Sequence, residues 1–437
     1  MTSLVDLRQR QQGQALVLGM LLLSVAMLAF LRYFTLGQVV AAKSRQTHAL
    51  DAAAYSGALV QARALNTLAY INRAHAAHQI AMAHLVTLGS WAALGGTQAR
   101  QLTAGNPPAY LIGMLFGPAY GAAYQAARRA TGFDRMAQTE GELAQAYASH
   151  EHDVRQVLLK SQSEIVDSVA QARLAAIQAV LAANYPEAAE AVATHLSVDH
   201  DNWPGYVSYL SGQQHLRSYV LDLSHYYGFL SARNDTAFNN WSVDARCPGL
   251  RHQLRRRGNT ELDAMGRWQS ADTQSYHALR SNKWIGCYYR EYAMGWAWIP
   301  SAAGQHMEQA HVQDPPDNFS AQDFWRWVQD ATDWDIVSGS DNPLANSKAV
   351  ANRQRWQGGG LPAYFDISRG AQQAPLGFSV RWQYPGPEGL LVSTRSAAET
   401  FFDRPQSRSD GHRETANLFH PYWQARLAAH ALDKGTP

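Results

Sequence analysis

The chain has 437 residues, of which 46% are hydrophobic and 16% charged, and a formal net charge of +2. That length allows two or three domains with a buried core. The near-neutral balance argues against a nucleic-acid partner and against strongly acidic substrates. The only two cysteines, Cys247 and Cys287, are too few to make a zinc knuckle on their own. If their part of the chain is exported, an oxidising compartment would let them pair.

Four regions follow in order: a leader (1–13), a transmembrane helix (14–36), a helical stalk (37–198) and an α+β domain (199–437). The leader, MTSLVDLRQRQQ followed by Gly13, is too short to fold. The run ALVLGMLLLSVAMLAFL then carries no charge, and Tyr33, Phe34 and Leu36 extend it past Arg32. Together they supply the roughly 20 positions a helix needs to cross hydrocarbon at ~1.5 Å per residue. Arg32 can carry its charge out to the headgroups. A cleaved signal peptide would end in a small-x-small site, whereas this run passes straight into Arg32-Tyr33-Phe34, so retention is expected. Arg8 and Arg10 on one side nearly balance Arg32, Lys43 and Arg45 on the other. The short leader therefore favours a cytoplasmic amino terminus and a periplasmic bulk.

No proline interrupts residues 14–94, and the pattern predicts one long helix that begins in a membrane and ends far outside it. Alanine dominates between Ala41 and Ala99, with Leu50, Leu59, Leu65, Leu68, Ile71, Ile80, Leu85 and Leu88 interspersed. Such a stem has high helix propensity and lets a partner helix approach closely. Gly57 is a local weakness worth about 1 kcal/mol. Gly95-Gly96, then Gly105-Asn106-Pro107-Pro108, are expected to stop the stem. Residues 109–127 are apolar enough for a second span, but Gly113, Gly117, Pro118 and Gly121 break them, and a hairpin packed on the stem is expected instead. From Glu142 to Tyr185 there is neither proline nor glycine, and Leu143, Tyr147, His150, Val154 and Val157 step by four, three, four and three residues, as in a coiled-coil seam. This helix is the natural partner of the first. Pro186 could open another short helix, EAAEAVATHL.

Past Asp199 the composition changes: of the 13 tryptophans only Trp91 comes earlier. KWIGCYYREYAMGWAWIP, PAYFDISRG and LGFSVRWQYPGPEGLLVSTR read as strands and turns of an antiparallel sheet. Helices are expected at 321–332 and 421–432, and loops at Gly358-Gly359-Gly360 and at 403–414. The basic knot RHQLRRR, 251–257, is expected to be a solvated loop.

Residues 8–58, RQRQQGQALVLGMLLLSVAMLAFLRYFTLGQVVAAKSRQTHALDAAAYSGAL, resemble the amino-terminal segment of the TadE/TadG-like proteins of the tight-adherence (Tad, or Flp) pilus machinery. Basic residues, a glycine and a glutamine lead into the apolar helix, and a Leu-Asp-Ala-Ala-Ala stretch, Leu50 to Ala54, follows it. The continuation YSGALVQARALNTLAYINRAHAAHQIAMAHL and the later LFHPYWQARL, Leu418 to Leu427, are similar to members without an adhesion domain. The sharpest part covers about a tenth of the chain. In pilin-like relatives a peptidase cuts after a glycine, with a glutamate five residues on; here Leu18 stands five residues after Gly13, and an intact anchor is expected. The von Willebrand type A domain of many relatives needs Asp-x-Ser-x-Ser. Asp335, Ser338 and Ser340 carry one residue too many, so that metal site is not carried over.

The sequence contains no nucleophile elbow, zincin motif, phosphate loop or dinucleotide fingerprint. His75, His78 and His84 on the stem, and His150, His152 and Asp153 on the second helix, read as polar seam residues rather than ligands. Asp199-His200-Asp201-Asn202 lacks the glycine and closing glutamate of a calcium loop and reads as a turn. Trp296 and Trp298 should share one strand face. No catalytic residue, cofactor or metal is assigned, and no nucleic acid is expected. The resemblance implies a non-enzymatic component of pilus assembly, minor pilin-like or accessory. Its expected partners are the inner membrane, other Tad proteins or pilin-like subunits, and a second copy through the stalk. The alternative is an envelope carbohydrate-binding or carbohydrate-processing protein that uses the tryptophan-rich region.

Overall fold

A computed structural model describes residues 4–188, 195–212, 214–283, 286–300, 354–367, 376–412 and 414–429. Helix and strand are mixed in the α+β manner expected. Helix α1, Leu4–Ala104, runs 101 residues without a break. It ends where Gly105 takes φ +65° and two prolines withhold their amides. Gly95-Gly96 does not stop it, contrary to expectation. A Cβ on Gly95 would lie 2.8 Å from Ala130 Cβ, and one on Gly96 2.7 Å from Asp134 Cβ. The two glycines let the following segment press against the helix.

That segment is the expected hairpin, α2 (Ala109–Phe116) and α3 (Pro118–Ala126), turning at Gly117 with φ +109°. Gly121 backs onto Gly113 so closely that a Cβ would come 2.8 Å from its Cα. Leu102 of α1 shares a core with Ala109, Ile112, Leu115 and Tyr124 of the hairpin. The second long helix comprises α4 (Glu142–His152), a π-helical turn (Asp153–Leu158) and α5 (Leu159–Asn184). Tyr147 and Val154 of the expected seam are buried, but Val157 is 51% exposed. The wider π turn shifts the buried face, which resumes at Gln162, Val169, Arg173, Ile177 and Leu181. Of the short helix expected after Pro186, only a 3-10 turn, Pro186–Ala188, is described; residues 189–194 lie outside the described residues.

The strands are β1 (Leu196–Asp201), β2 (Ser208–Ser211), β3 (Asp235–Phe238), β4 (Gln253–Leu262), β5 (Trp268–Asn282), β6 (Gly286–Ile299), β7 (Ala363–Asp366), β8 (Leu376–Pro385), β9 (Leu391–Phe402) and β10 (Trp423–Leu427). The three aromatic segments singled out in the sequence become β6, β7 and the β8–β9 hairpin. Three local expectations are corrected. The helix expected at 421–432 is β10, because Trp423 to Leu427 pair with Phe402 to Ala398 of β9. Asp199 and Asp201 lie in β1 rather than a turn, paired to β8 through a bulge between Val198 and His200. Most of the basic knot is strand β4, with Arg255 buried. The expected helix at 321–332 and the Asp335 to Ser340 stretch lie outside the described residues.

The chain forms two compact units, residues 1–70, 163–208 and 365–437 in the first, and 71–162 and 209–364 in the second. The division does not follow the composition change at Asp199, since each unit combines stalk helix with later strands. In the first unit an antiparallel sheet, β1-β8-β9-β10, packs on α1 and α5. Its core joins Leu50, Ala53, Ala54 and Ala58 of α1, Ile177 and Leu181 of α5, and Phe378, Val380 and Trp382 of β8. A second cluster gathers Leu65, Leu68, Val169, Trp203, Leu376, Leu418 and Trp423. Alanines on α1 let the sheet approach, and each fully buried large side chain contributes ~1.5–3 kcal/mol. In the second unit the sheet β3-β4-β5-β6 is also antiparallel, and Leu254, Tyr276, Ala278 and Met294 close over Leu102 and the α2–α3 hairpin.

Candidate functional site

The candidate site is the first part of α1. Its apolar run is long enough to cross a membrane and none of it is buried. Leu16 (67%), Leu23 (72%) and Phe30 (68%) stand open. Residues 14–36 rise about 34 Å as a helix, enough to cross a hydrocarbon layer of ~30 Å. The α4–α5 stretch is also long and apolar enough to cross a membrane, but it buries Ile177 and Leu181 in the first unit's core.

The exposed helix becomes a buried one at Gln46. Its Nε2 donates to the carbonyls of Trp382 and Val392, both at 3.2 Å. Beside it, Arg45 lies 4.6 Å over the Tyr185 ring and donates to Asn184 O at 3.1 Å. Tyr185, Trp382 and Tyr384 stack or meet edge-on at 4.9 to 5.3 Å. A shallow cleft of about 190 Å³ opens here between Ala42, Arg45, Tyr185, Pro385 and Pro387. A second, polar cleft of about 310 Å³ lies in the loop expected at 403–414. There Glu414 accepts from Arg404 and His420 at 2.9 Å, and Arg408 pairs with Asp410, whose carboxyl is held down to about 2 chiefly by that hydrogen bond.

Beyond Gln46 the helix carries a buried polar stripe that sequence reasoning missed. In the first unit Gln61 donates to Leu376 O and Thr400 Oγ1 and accepts from Arg173, while Asn66 both donates to Trp423 O and accepts from its amide. In the second unit Asn72 accepts from Gln162, Gln79 from the Trp268 indole, and Thr97 donates to Trp296 O. Gln46, Gln61, Asn72, Gln79, Ser90 and Thr97 are separated by 7, 11 or 15 residues, all close to whole numbers of turns. That spacing was the available signal.

Ser90 leads to a fully buried charge of the second unit. Asp272 is fully buried and accepts from Ser90 Oγ at 2.8 Å and from two guanidinium nitrogens of Arg233, both at 2.9 Å. Arg256, from the supposed loop, adds a 3.4 Å contact. The Asp272 carboxylate at its centre is closed to solvent, and the network ties β4, β5 and α1 together.

Of the histidines, His78 and His150 meet Nδ1 to Nδ1 at 2.9 Å. His75 is fully buried, and neither ring nitrogen has a hydrogen-bond partner among the described residues. Burial and then the neighbouring His78 push its pKa down to about 4, and burial also lowers that of His78. Among the described residues no three His, Cys, Asp or Glu side chains are grouped to hold a metal ion. Asp201 instead pairs with the buried Arg173, and Asp199 with Arg381 and Arg395. Trp296 and Trp298 do share a face, packed with Ala271. Of the described tryptophans beyond Asp199, Trp203, Trp268, Trp298, Trp356, Trp382 and Trp423 are buried, and Trp241 alone is exposed, at 46%. Cys247 and Cys287 form a disulfide, with Cα atoms 6.0 Å apart.

No family model, curated protein or solved structure matches this chain.

Proposed function

We propose that this chain is a non-enzymatic, single-pass inner-membrane component of Tad/Flp pilus assembly, minor pilin-like or accessory, with its bulk in the periplasm. The observation that carries the reading is the unbroken helix Leu4–Ala104. The exposed apolar part and the buried part are one element, so an anchor in hydrocarbon holds the folded residues without a flexible linker. The amino-terminal resemblance supports the pilus assignment. The Cys247 to Cys287 pairing supports an oxidising compartment for the residues beyond the span. Within the span, Gly19 has open space where a Cβ would stand, which suits close packing against other membrane-held helices.

The test is photo-cross-linking from Leu18 and Leu22 in membranes of the native bacterium, with the captured proteins identified by mass spectrometry. Recovery of other pilus components or pilin-like subunits is the expected result. Capture of glycan enzymes alone would overturn the assignment and favour the carbohydrate reading.

A further inference from the structure

The β8–β9 hairpin runs alongside α1, and its direction is fixed by hydrogen bonds at three heights. Gln61 meets Leu376 and Thr400, Asp51 accepts from Ser396, and Gln46 meets Trp382 and Val392. From Gln61 back to Gln46 the helix covers about 22 Å. The strands cover about 20 Å from Leu376 to Trp382 and about 26 Å from Thr400 to Val392. The agreement means that hairpin and helix are nearly collinear and that the hairpin's turn points toward the apolar end of the helix.

The height of the turn follows. Pro385 lies three residues beyond Trp382, about 10 Å further along, which on the helix corresponds to between six and seven residues before Gln46. That is the level of Val39 and Val40, about 5 Å past Leu36 where the apolar run ends. Two observations agree with this level. Ala42 lines the junction cleft together with Pro385, Gly386 and Pro387, and Val39 and Ala42, on the Gln46 face of the helix, are half-covered while their neighbours are exposed.

At this height the turn presents leucines. Leu391 pairs with Pro385, Leu390 lies beyond it, and both are 54% exposed. They are held outward by a tight loop in which Gly386 donates to Leu390 O at 2.7 Å, Leu390 donates to Pro387 O at 3.2 Å, and Gly389 takes φ +75°. Tyr384 lies half-buried behind them, and Lys43 and Arg45 are exposed on the helix alongside. Apolar tips backed by an aromatic ring, with Lys43 and the Glu187-paired Arg45 alongside, suit a membrane-interface contact, and the headgroup zone on each side of a ~30 Å core is about 5–8 Å deep.

We propose that the β8–β9 turn is a second membrane contact, with Leu390 and Leu391 seated in the headgroup zone of the bilayer that the helix crosses. The occupant is the phospholipid surface because the helix that sets the height of the turn enters the apolar phase there. With two points of contact, the first unit would be fixed in tilt and rotation as well as in height. The inference rests on the anchor reading and not on the pilus partners.

The experiment uses the full chain, whose two cysteines are both in the disulfide, so one added cysteine is the sole free thiol. An environment-sensitive fluorophore is placed at Leu390→Cys or, separately, Leu391→Cys. Phe30→Cys serves as the in-span control and Ser407→Cys as the solvent control. Each protein is reconstituted into phosphatidylethanolamine and phosphatidylglycerol vesicles with headgroup-labelled or 5-doxyl quencher lipids. Labels at 390 and 391 are expected to shift to the blue and to be quenched most by the headgroup quencher, while the label at 407 stays unquenched. Water-exposed, unquenched labels at both hairpin positions beside a quenched label at 30 would overturn the hairpin contact alone. Absence of quenching at 30 as well would overturn it together with the anchor.

Discussion

At Gly57 two effects of opposite sign meet. Alanine there would improve helix propensity by about 1 kcal/mol, but the added Cβ would lie 3.0 Å from Ile177 Cδ1 and 3.1 Å from Arg173 Cγ. The terminal methyl can give by a few tenths of an ångström, so Gly57→Ala should change stability by less than ~1 kcal/mol. Gly57→Leu should lose roughly 1–3 kcal/mol through overpacking. Denaturant titration of detergent-solubilised protein separates the two, and a neutral leucine variant would show that α1 and α5 are not in contact at this position. Asp272 is a sharper case. Asp272→Asn would leave the Arg233 guanidinium, only 12% exposed, without its counter-charge, at a cost of roughly 3–5 kcal/mol. Arg256→Met, which removes the longer contact of a side chain 36% exposed, should cost less than ~1 kcal/mol. Equal losses in the two variants would refute the network's assignment to Arg233. Neither role was legible in the sequence. Gly57 is defined by Ile177 and Arg173, more than a hundred residues away, and Asp272 by Arg233, 39 residues away, and Ser90, 182 residues away.

Elements were more legible where the signal is local. The absence of proline marked α1 and α4–α5, paired glycines and prolines marked the α2–α3 hairpin, and aromatic alternation marked β6 and the β8–β9 hairpin. β10 was misread because Trp-Gln-Ala-Arg-Leu suits a helix in isolation and becomes a strand by pairing with β9. Gly95-Gly96 was misread because glycine can serve close packing as well as helix ends. Buried histidines also give the molecule a pH dependence. The pKa of His75 is about 4 in the folded protein, and burial with the nearby Arg280 holds that of His252 down to about 4 too. In the unfolded chain both titrate near 6.5. Between those values the unfolded state binds more protons, so the two histidines' contribution to stability falls as pH drops from about 6.5 toward 4 and is constant below. His75 alone accounts for up to ~3 kcal/mol of this loss. Melting temperatures between pH 7.5 and 4.5 should decline, and His75→Leu should flatten the decline. An unchanged slope in that variant would mean that the ring is protonated or solvated in the native state.

For the whole molecule the composition change at Asp199 suggested a stalk and a separate distal domain, whereas each compact unit draws on both halves of the chain. The contacts that decide this, such as Gln46 to Val392, span more than 300 residues and leave no trace in composition. One consequence separates anchor from fold. Residues 14–38 are exposed apart from Gly19 and Thr35, which are half-covered, and the first unit's buried core begins at Gln46. Deleting residues 1–38 therefore removes apolar surface that water would solvate poorly, about 25 cal/mol per Å², and almost none that the fold buries. The shortened chain, exported by a cleavable signal, should keep its disulfide and helical content and melt within a few degrees of the full chain. It should also move from the carbonate-resistant membrane pellet to the soluble fraction. A full-length chain found soluble would refute the anchor. A shortened chain that no longer folds would show that the amino-terminal helix is part of the core, and would turn its exposed leucines from a lipid contact into an unfilled protein interface.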